Sequence, residues 1–119
     1  MKKTVLIGAS TNKERYAYKA TLSLQKHKYE VIPIGIHIGE INGIKINTDK
    51  TYVADVDTVT IYVSPKNQAY WQDYILSLNP KRVIFNPGAE NFEFEKILNE
   101  NKIEVIEACT LVMLSTGQY

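Results

Sequence analysis

Thr4-Val5-Leu6-Ile7-Gly8-Ala9-Ser10-Thr11-Asn12-Lys13-Glu14-Arg15 decides how this chain is read. A short apolar run delivers the backbone to a glycine, and small, polar and basic residues then lead into a helix-compatible pattern from Tyr16. A strand that ends at a helix start in this way leaves backbone N–H groups at the positive end of the helix, a seat for phosphate. The chain thus opens as a nucleotide-binding strand, loop and helix would.

Working outward, Tyr16 to Lys26 reads as a helix with Ala17, Ala20, Thr21 and Leu24 on one face. The alanines suit close helix-to-sheet contact. Val31-Ile32-Pro33-Ile34 is a second strand, and Pro33, lacking an N–H, places the end of the regular ladder near its C-terminus. Gly35 to Asn47 holds three glycines and the alternation Ile41, Ile44, Ile46, which predicts an irregular excursion or a small hairpin around Asn42-Gly43. Val59 to Val63 returns as a β-branched strand ending in Ser64-Pro65, and proline suits a strand-to-helix junction. The next helix carries Trp71, Tyr74, Ile75 and Leu78 at the spacing of a buried stripe, so its aromatics read as core. Val83-Ile84-Phe85 is a strand, followed by Asn86-Pro87-Gly88-Ala89 and a helix capped by Asn91 with Phe94, Ile97 and Leu98 inward. Glu104-Val105-Ile106 makes a last strand and Thr110 to Leu114 a short helix or turn.

Repeated strand–helix units with nearly continuous apolar strands imply a mostly parallel sheet covered on both faces, because right-handed crossovers place helices there. The expected fold is α/β, a Rossmann-like three-layer α/β/α sandwich formed by a single domain over residues 1–119. Ligands of such sheets bind at the C-terminal ends of the strands, where the topology switches direction. Four tips then converge: Gly8 to Arg15, Pro33 to His37, Val63 to Asn67, and Asn86 to Ala89.

Composition narrows the class of ligand. With 119 residues, 45% hydrophobic and 23% charged, the chain can bury a core and has no disordered-protein bias. Net charge is +1, yet residues 1–30 carry seven Lys or Arg against Glu14 and Glu30, while from Pro87 onward Lys96 and Lys102 face six glutamates. These read chiefly as solvated helix faces; Lys13 and Arg15 alone fall in the phosphate loop. A basic strip without interleaved aromatics, at near-neutral net charge, argues against nucleic acid. No apolar stretch reaches the length needed to span a bilayer. The single cysteine, Cys109, precludes an internal disulfide or a multi-cysteine metal site, and Met1-Lys2-Lys3 runs straight into a strand; a reducing, cytoplasmic compartment is expected.

Missing motifs discriminate further. Gly8-Ala9-Ser10-Thr11-Asn12-Lys13 is not the G-x-G-x-x-G of dinucleotide sites, and Ile34-Gly35-Ile36-His37 supplies no ribose-binding acid at the second strand's end. The G-x-x-x-x-G-K-[ST] loop of nucleoside triphosphatases is absent as well.

Over nearly its whole length the chain resembles the small, stand-alone coenzyme A-binding proteins, whose domain is similar to the N-terminal nucleotide-binding domain of the succinyl-CoA synthetase α subunit. The resemblance rests on Val5-Leu6-Ile7-Gly8-Ala9-Ser10, Tyr29-Glu30-Val31-Ile32-Pro33-Ile34, Gly39 to Gly43, Tyr62-Val63-Ser64-Pro65, Asn86-Pro87-Gly88 and Cys109-Thr110, taken in order and spacing. It implies that the 3′-phospho-ADP part of CoA lies across the strand tips. Phosphates would sit near Ser10 to Arg15 and adenine near Val63-Ser64-Pro65. The expected cofactor-binding residues are Gly8, Ala9, Ser10, Thr11, Lys13, Arg15, Pro33, Gly35, Val63, Ser64, Pro65, Asn86 and Gly88. The residue chemistry fits: Ser10 and Thr11 hydroxyls and loop amides can meet phosphate oxygens, and Arg15 offers a bidentate fork.

Two departures from the family pattern matter. Relatives carry a Pro-x-Asn-Pro-like turn after the second strand, whereas this chain reads Pro33-Ile34-Gly35-Ile36. No Lys or Arg follows closely, which leaves His37 as the nearby candidate, and a neutral imidazole is a weak partner for an anion. His37 and His27 read as surface residues. Cys109 reads as a small core residue, with a thiol activated by the terminal helix, and a mixed disulfide with CoA, as the sharper alternative. Asp55, Asp57 and Asp73 lie beside the elements, away from the tips, and no part of the chain matches the synthetases' phosphohistidine domain. A CoA or acyl-CoA binder without turnover is expected, either monomer or homodimer, with no nucleic-acid or membrane partner. The alternatives are an NAD(P)- or FAD-type redox sensor or enzyme, with Glu40 as ribose ligand, and an interaction protein with a vestigial crevice.

Overall fold

The computed structural model describes residues 2–119. Its order is β1 (Thr4–Ile7), α1 (Tyr16–Lys26), β2 (Val31–Ile34), β3 (Glu40–Ile41), β4 (Ile44–Lys45), β5 (Thr58–Ile61), a 3-10 turn (Pro65–Asn67), α2 (Ala69–Leu78), β6 (Arg82–Phe85), α3 (Phe92–Glu100), β7 (Glu104–Glu107) and α4 (Thr110–Ser115). Five strands form one parallel sheet in the order β2-β1-β5-β6-β7, and β3-β4 is a separate antiparallel hairpin. The Rossmann-like expectation holds. The excursion after β2 resolves into the hairpin, with Asn42 and Gly43 both at positive φ in its two-residue turn.

Side-chain alternation along the strands sorts the core into two layers. Val5, Ile7, Val59, Ile61, Val83 and Phe85 pack with Trp71, Tyr74, Ile75 and Leu78 of α2 and Phe94 and Leu98 of α3. Leu6, Val31 and Ile84 meet Ala17, Ala20 and Leu24 of α1 and Leu114 of α4 on the opposite face. The stripes expected on α1 and α2 are buried as read. On α3, however, Ile97 is 38% exposed, one step off the Phe94–Leu98 stripe, so it does not point inward as its apolarity suggested. Asn91 is the expected cap: its side-chain oxygen accepts from Phe94 N, and Glu95 reaches back to accept from Asn91 N at 3.0 Å.

The α1/α4 face also carries a polar column that continuous apolar strands do not predict. Thr4, Thr58, Thr60 and Arg82 are buried there, each with a partner. Thr4 Oγ1 and Tyr119 Oη lie 2.5 Å apart, Arg82 Nε donates to Thr58 Oγ1 at 2.7 Å, and the Thr60 and Thr110 hydroxyls are 2.8 Å apart. Hydroxyls of β-branched residues keep strand propensity while tying α4 and the C-terminal residue to the sheet.

Candidate functional site

β1 is flanked by β2 on one side and β5 on the other, and the connections from β1 and β5 leave to opposite faces through α1 and α2. This is the switch point of a doubly wound sheet, and a crevice opens where the two connections diverge. Gly8 closes the sheet end. Its amide and that of Ala9 both donate to Ile34 O at 2.9 Å, drawing β1 against β2. Gly8 has φ +96°, and a Cβ there would stand 2.9 Å from Tyr62 O; one at Gly35 would stand 2.6 Å from Ala9 O. Both glycines let three strand ends approach more closely than side chains allow.

The loop beyond Gly8 is built from side chains that fold back on it. Ser10 Oγ accepts from Asn12 N at 3.0 Å, Asn12 Oδ1 accepts from Glu14 N at 3.0 Å, and Asn12 O accepts from Arg15 N at 3.0 Å. Arg15 occupies the N-cap position of α1 in an extended conformation, and no side chain caps the helix. The first amides of α1 therefore keep their hydrogen-bonding capacity and the positive end of the dipole, with the Arg15 guanidinium beside them.

Two lobes make up the crevice. One, of about 450 Å³, is lined by Gly8, Asn12, Glu14, Arg15, Tyr16, Ala17, Tyr62, Val63, Ser64, Pro87, Gly88 and Ala89. The other, of about 850 Å³, is lined by Gly8, Ala9, Ser10, Thr11, Arg15, Gly35, Ile36, His37, Ile38, Ile46, Tyr62, Val63, Ser64, Asn67, Tyr70 and Trp71. Gly8, Arg15, Tyr62, Val63 and Ser64 belong to both, so the lobes meet over the β1 and β5 tips. Their sizes are those of small-molecule clefts, long enough together for an extended ligand.

Of the residues singled out in the sequence, the structure brings Gly8, Ala9, Ser10, Thr11, Arg15, Gly35, Val63, Ser64 and Gly88 into this wall. Lys13, Pro33, Pro65 and Asn86 do not line it. Lys13 and Pro65 are exposed beside it, Pro33 is buried within β2, and Asn86 is 2% exposed beneath the floor. Asn86 Nδ2 donates to Thr60 Oγ1 at 2.7 Å and to Ile61 O at 3.0 Å, and its Oδ1 accepts from Thr110 N at 2.8 Å. It staples β5, β6 and α4 together.

Sequence reasoning missed Tyr62, Ile38, Tyr70 and Trp71 as wall residues, and named Ile36 only as part of the second strand's tip. The Thr58-Val59-Thr60-Ile61-Tyr62 alternation carries the signal for Tyr62, since β5 ends at Ile61 and the next side chain lies at the tip. Its hydroxyl is buried without a partner, near the Thr60 and Thr110 hydroxyls, which pair with each other. Burial pushes this phenol well above the usual tyrosine range. His37 is exposed as expected, yet it lines the larger lobe. Glu40 is exposed on β3, opposite Lys45, outside the wall. Cys109 is half-buried at the N-cap of α4 and lines neither lobe.

An uncapped helix start, a tight glycine turn and a two-lobed cleft at the switch point place the protein in the doubly wound, Rossmann-like class. A sequence model of the CoA-binding domain matches residues 2–115, and the chain belongs to that family. Solved structures agree on the fold. One, a crystal structure of an uncharacterized protein, superposes with a TM-score of 0.98 at 52% identity over 100% of this chain and 98% of the other. A hypothetical protein from Pyrococcus horikoshii OT3 gives 0.85 at 26% identity, covering 97% of this chain and 82% of that one. A conserved hypothetical protein from Pyrococcus furiosus gives 0.83 at 28%, covering 94% and 98%. No curated protein matches the chain. No helix among the described residues is long and apolar enough to cross a membrane.

Proposed function

We propose that this protein binds coenzyme A or an acyl-CoA without turning it over, holding the nucleotide across the C-terminal ends of β2, β1 and β5. Membership of the CoA-binding family supports a CoA-binding role. The observation that carries the particular reading is the convergence of Arg15 and the uncapped start of α1 on the seam between the two lobes. The diphosphate lies there, against the amides of α1, with Ser10 and Thr11 beside it. Adenine lies in the larger lobe near Val63 and Ser64, and the pantetheine arm follows the smaller lobe towards Pro87-Gly88. The position of Glu40 outside the wall gives an NAD-type ribose contact no support.

The test is a calorimetric titration with CoA beside ADP and NAD at matched ionic strength, repeated with Ser10→Trp. Saturable binding of CoA in preference to NAD, abolished by the indole while the melting temperature stays within a few degrees, is the expected result. No binding of CoA at millimolar concentration sinks the proposal.

A further inference from the structure

A CoA ligand brings a 3′-phosphate on its ribose as well as the diphosphate, and the larger lobe has no obvious cation for it. Its wall contains one guanidinium, Arg15, which sits at the seam and faces the diphosphate position, together with the imidazole of His37. No lysine or arginine occupies the turn after β2, where Gly35, Ile36, His37 and Ile38 follow the strand. A doubly charged group at this end needs a charged partner if it is to leave water without a large penalty.

We infer that Lys50 supplies that charge and is a specificity residue for the 3′-phosphate; the inference rests on the CoA reading of the crevice. Lys50 lies far from the phosphate loop in sequence, but the fold carries it to the lobe. Its Nζ is 3.5 Å from the centroid of the Tyr70 ring and 5.7 Å from that of Trp71, and it donates to the Tyr70 carbonyl. Tyr70 and Trp71 are themselves wall residues of the larger lobe. Lys50 does not itself line the lobe, but its ammonium packs against these two residues that do, on the α2 side of the crevice.

Its backbone is held at both ends. Upstream, Asn47 N donates to Pro33 O at 2.9 Å and Gly35 N donates to Asn47 O at 3.0 Å, fastening this segment to the edge strand β2. Downstream, the Tyr74 hydroxyl donates to Thr51 O at 2.7 Å, fastening it to α2. Lys50 is therefore strung across the space between the β2 tip and the start of α2. No carboxylate among the described residues pairs with it, since the ion pair present is Arg82–Asp57 at the other end of the sheet. Its flexible stem, with three donors on a compact charge, can swing from the exposed Tyr70 face to a phosphate without moving the backbone.

The experiment compares CoA with dephospho-CoA on the intact chain, for the wild type, Lys50→Met, Lys50→Arg and Lys66→Met. Lys66 is an exposed cation on the neighbouring 3-10 turn and controls for general loss of positive charge. The wild type is expected to favour CoA by about ten-fold, the worth of a charge-assisted hydrogen bond. Lys50→Met is expected to bring that ratio close to one while leaving dephospho-CoA affinity unchanged; Lys50→Arg and Lys66→Met are expected to keep it. A preference that survives Lys50→Met, or that falls equally in Lys66→Met, overturns the role of Lys50 and leaves the CoA reading standing. A wild type that binds neither nucleotide overturns both.

Discussion

Along β5 the side chains of Thr58 and Thr60, with Tyr62 just beyond the strand, share the α1/α4 face, and the two ends of the sheet treat them differently. At the N-terminal end, Thr58 accepts from Arg82, Thr4 pairs with Tyr119, and Lys2 reaches the Tyr119 carbonyl. Arg82 Nη2 lacks an acceptor there, but the Tyr119 ring covers the guanidinium with its centroid 4.5 Å from Cζ. At the C-terminal end, Tyr62 has no partner, α1 has no cap, and a crevice lies over the strand tips. Polar groups spent on one another hold a fold together; exposed groups left unspent around a cleft, such as the first amides of α1, are available to a ligand, whereas the Tyr62 hydroxyl is buried. On the CoA-binding reading proposed above, stability belongs to one end of the sheet and recognition to the other.

The sharpest way to break that comparison is Asn86, which belongs to the recognition end by position and to the stability end by bonding. Asn86→Leu removes three buried hydrogen bonds and strands Thr110 N in the interior, while Ile61 O keeps the bond from the backbone N of residue 86. The expected cost is about 3–5 kcal/mol, read as a lowered urea midpoint at unchanged slope. If stability stays within about 1 kcal/mol of wild type, the staple is not what joins α4 to the sheet.

Tyr119→Ala tests the opposite end. It removes a ring that is 8% exposed and uncovers Arg82 and Thr4 together. A loss of about 3 kcal/mol, on the order of 10 °C in melting temperature, is expected with CoA affinity unchanged. Ser10→Trp is its mirror image, with binding lost and stability kept. A Tyr119→Ala protein that still folds but binds CoA ten-fold more weakly would show that the two ends communicate through β5, and the division of labour would fail.

How much of this was legible in the sequence follows the same division. Gly8, Ser10 and Arg15 announce themselves, because a local motif, strand to glycine to helix, fixes where they go. The helical stripes and the strands were readable from periodicity, and the core layers follow from them. Asn86 and Tyr119 were not readable in their roles, since their partners lie 24 to 26 residues away in the first case and 115 in the second. Lys50 hides for the same reason: only the β2 edge and Tyr74 of α2 reveal what holds it. Ile97 was misread because apolarity alone cannot say whether a residue beside a stripe is within it. Periodicity reports local geometry, and a site assembled at strand tips is a product of topology.

The smallest expected effect concerns charge at the recognition end, and it sharpens the comparison because the stability end pairs its acid, Asp57, with Arg82. Glu95, in the first turn of α3, has its carboxyl held above the usual range, first by partial burial and then by Glu107 and Glu90 nearby. A carboxyl raised in the folded state binds its proton more tightly there than in the unfolded chain. Its contribution to stability is therefore present below the unfolded value, near 4.3, and lost as pH rises through the folded one. At neutral pH the charged group is a net cost, partly screened because it is only half-buried. Glu95→Gln keeps an oxygen to accept from Asn91 N while removing the charge, so it is expected to be slightly more stable than wild type at pH 7. The gain, about a few tenths of a kcal/mol, should fade in high salt and vanish at pH 4. Denaturation of the two proteins in parallel across that range reads the difference directly. A variant less stable at pH 7 would mean that the anionic capping contact outweighs the repulsion, and that the acids of α3 and β7 are matched to the positive end of their helix rather than crowded against each other.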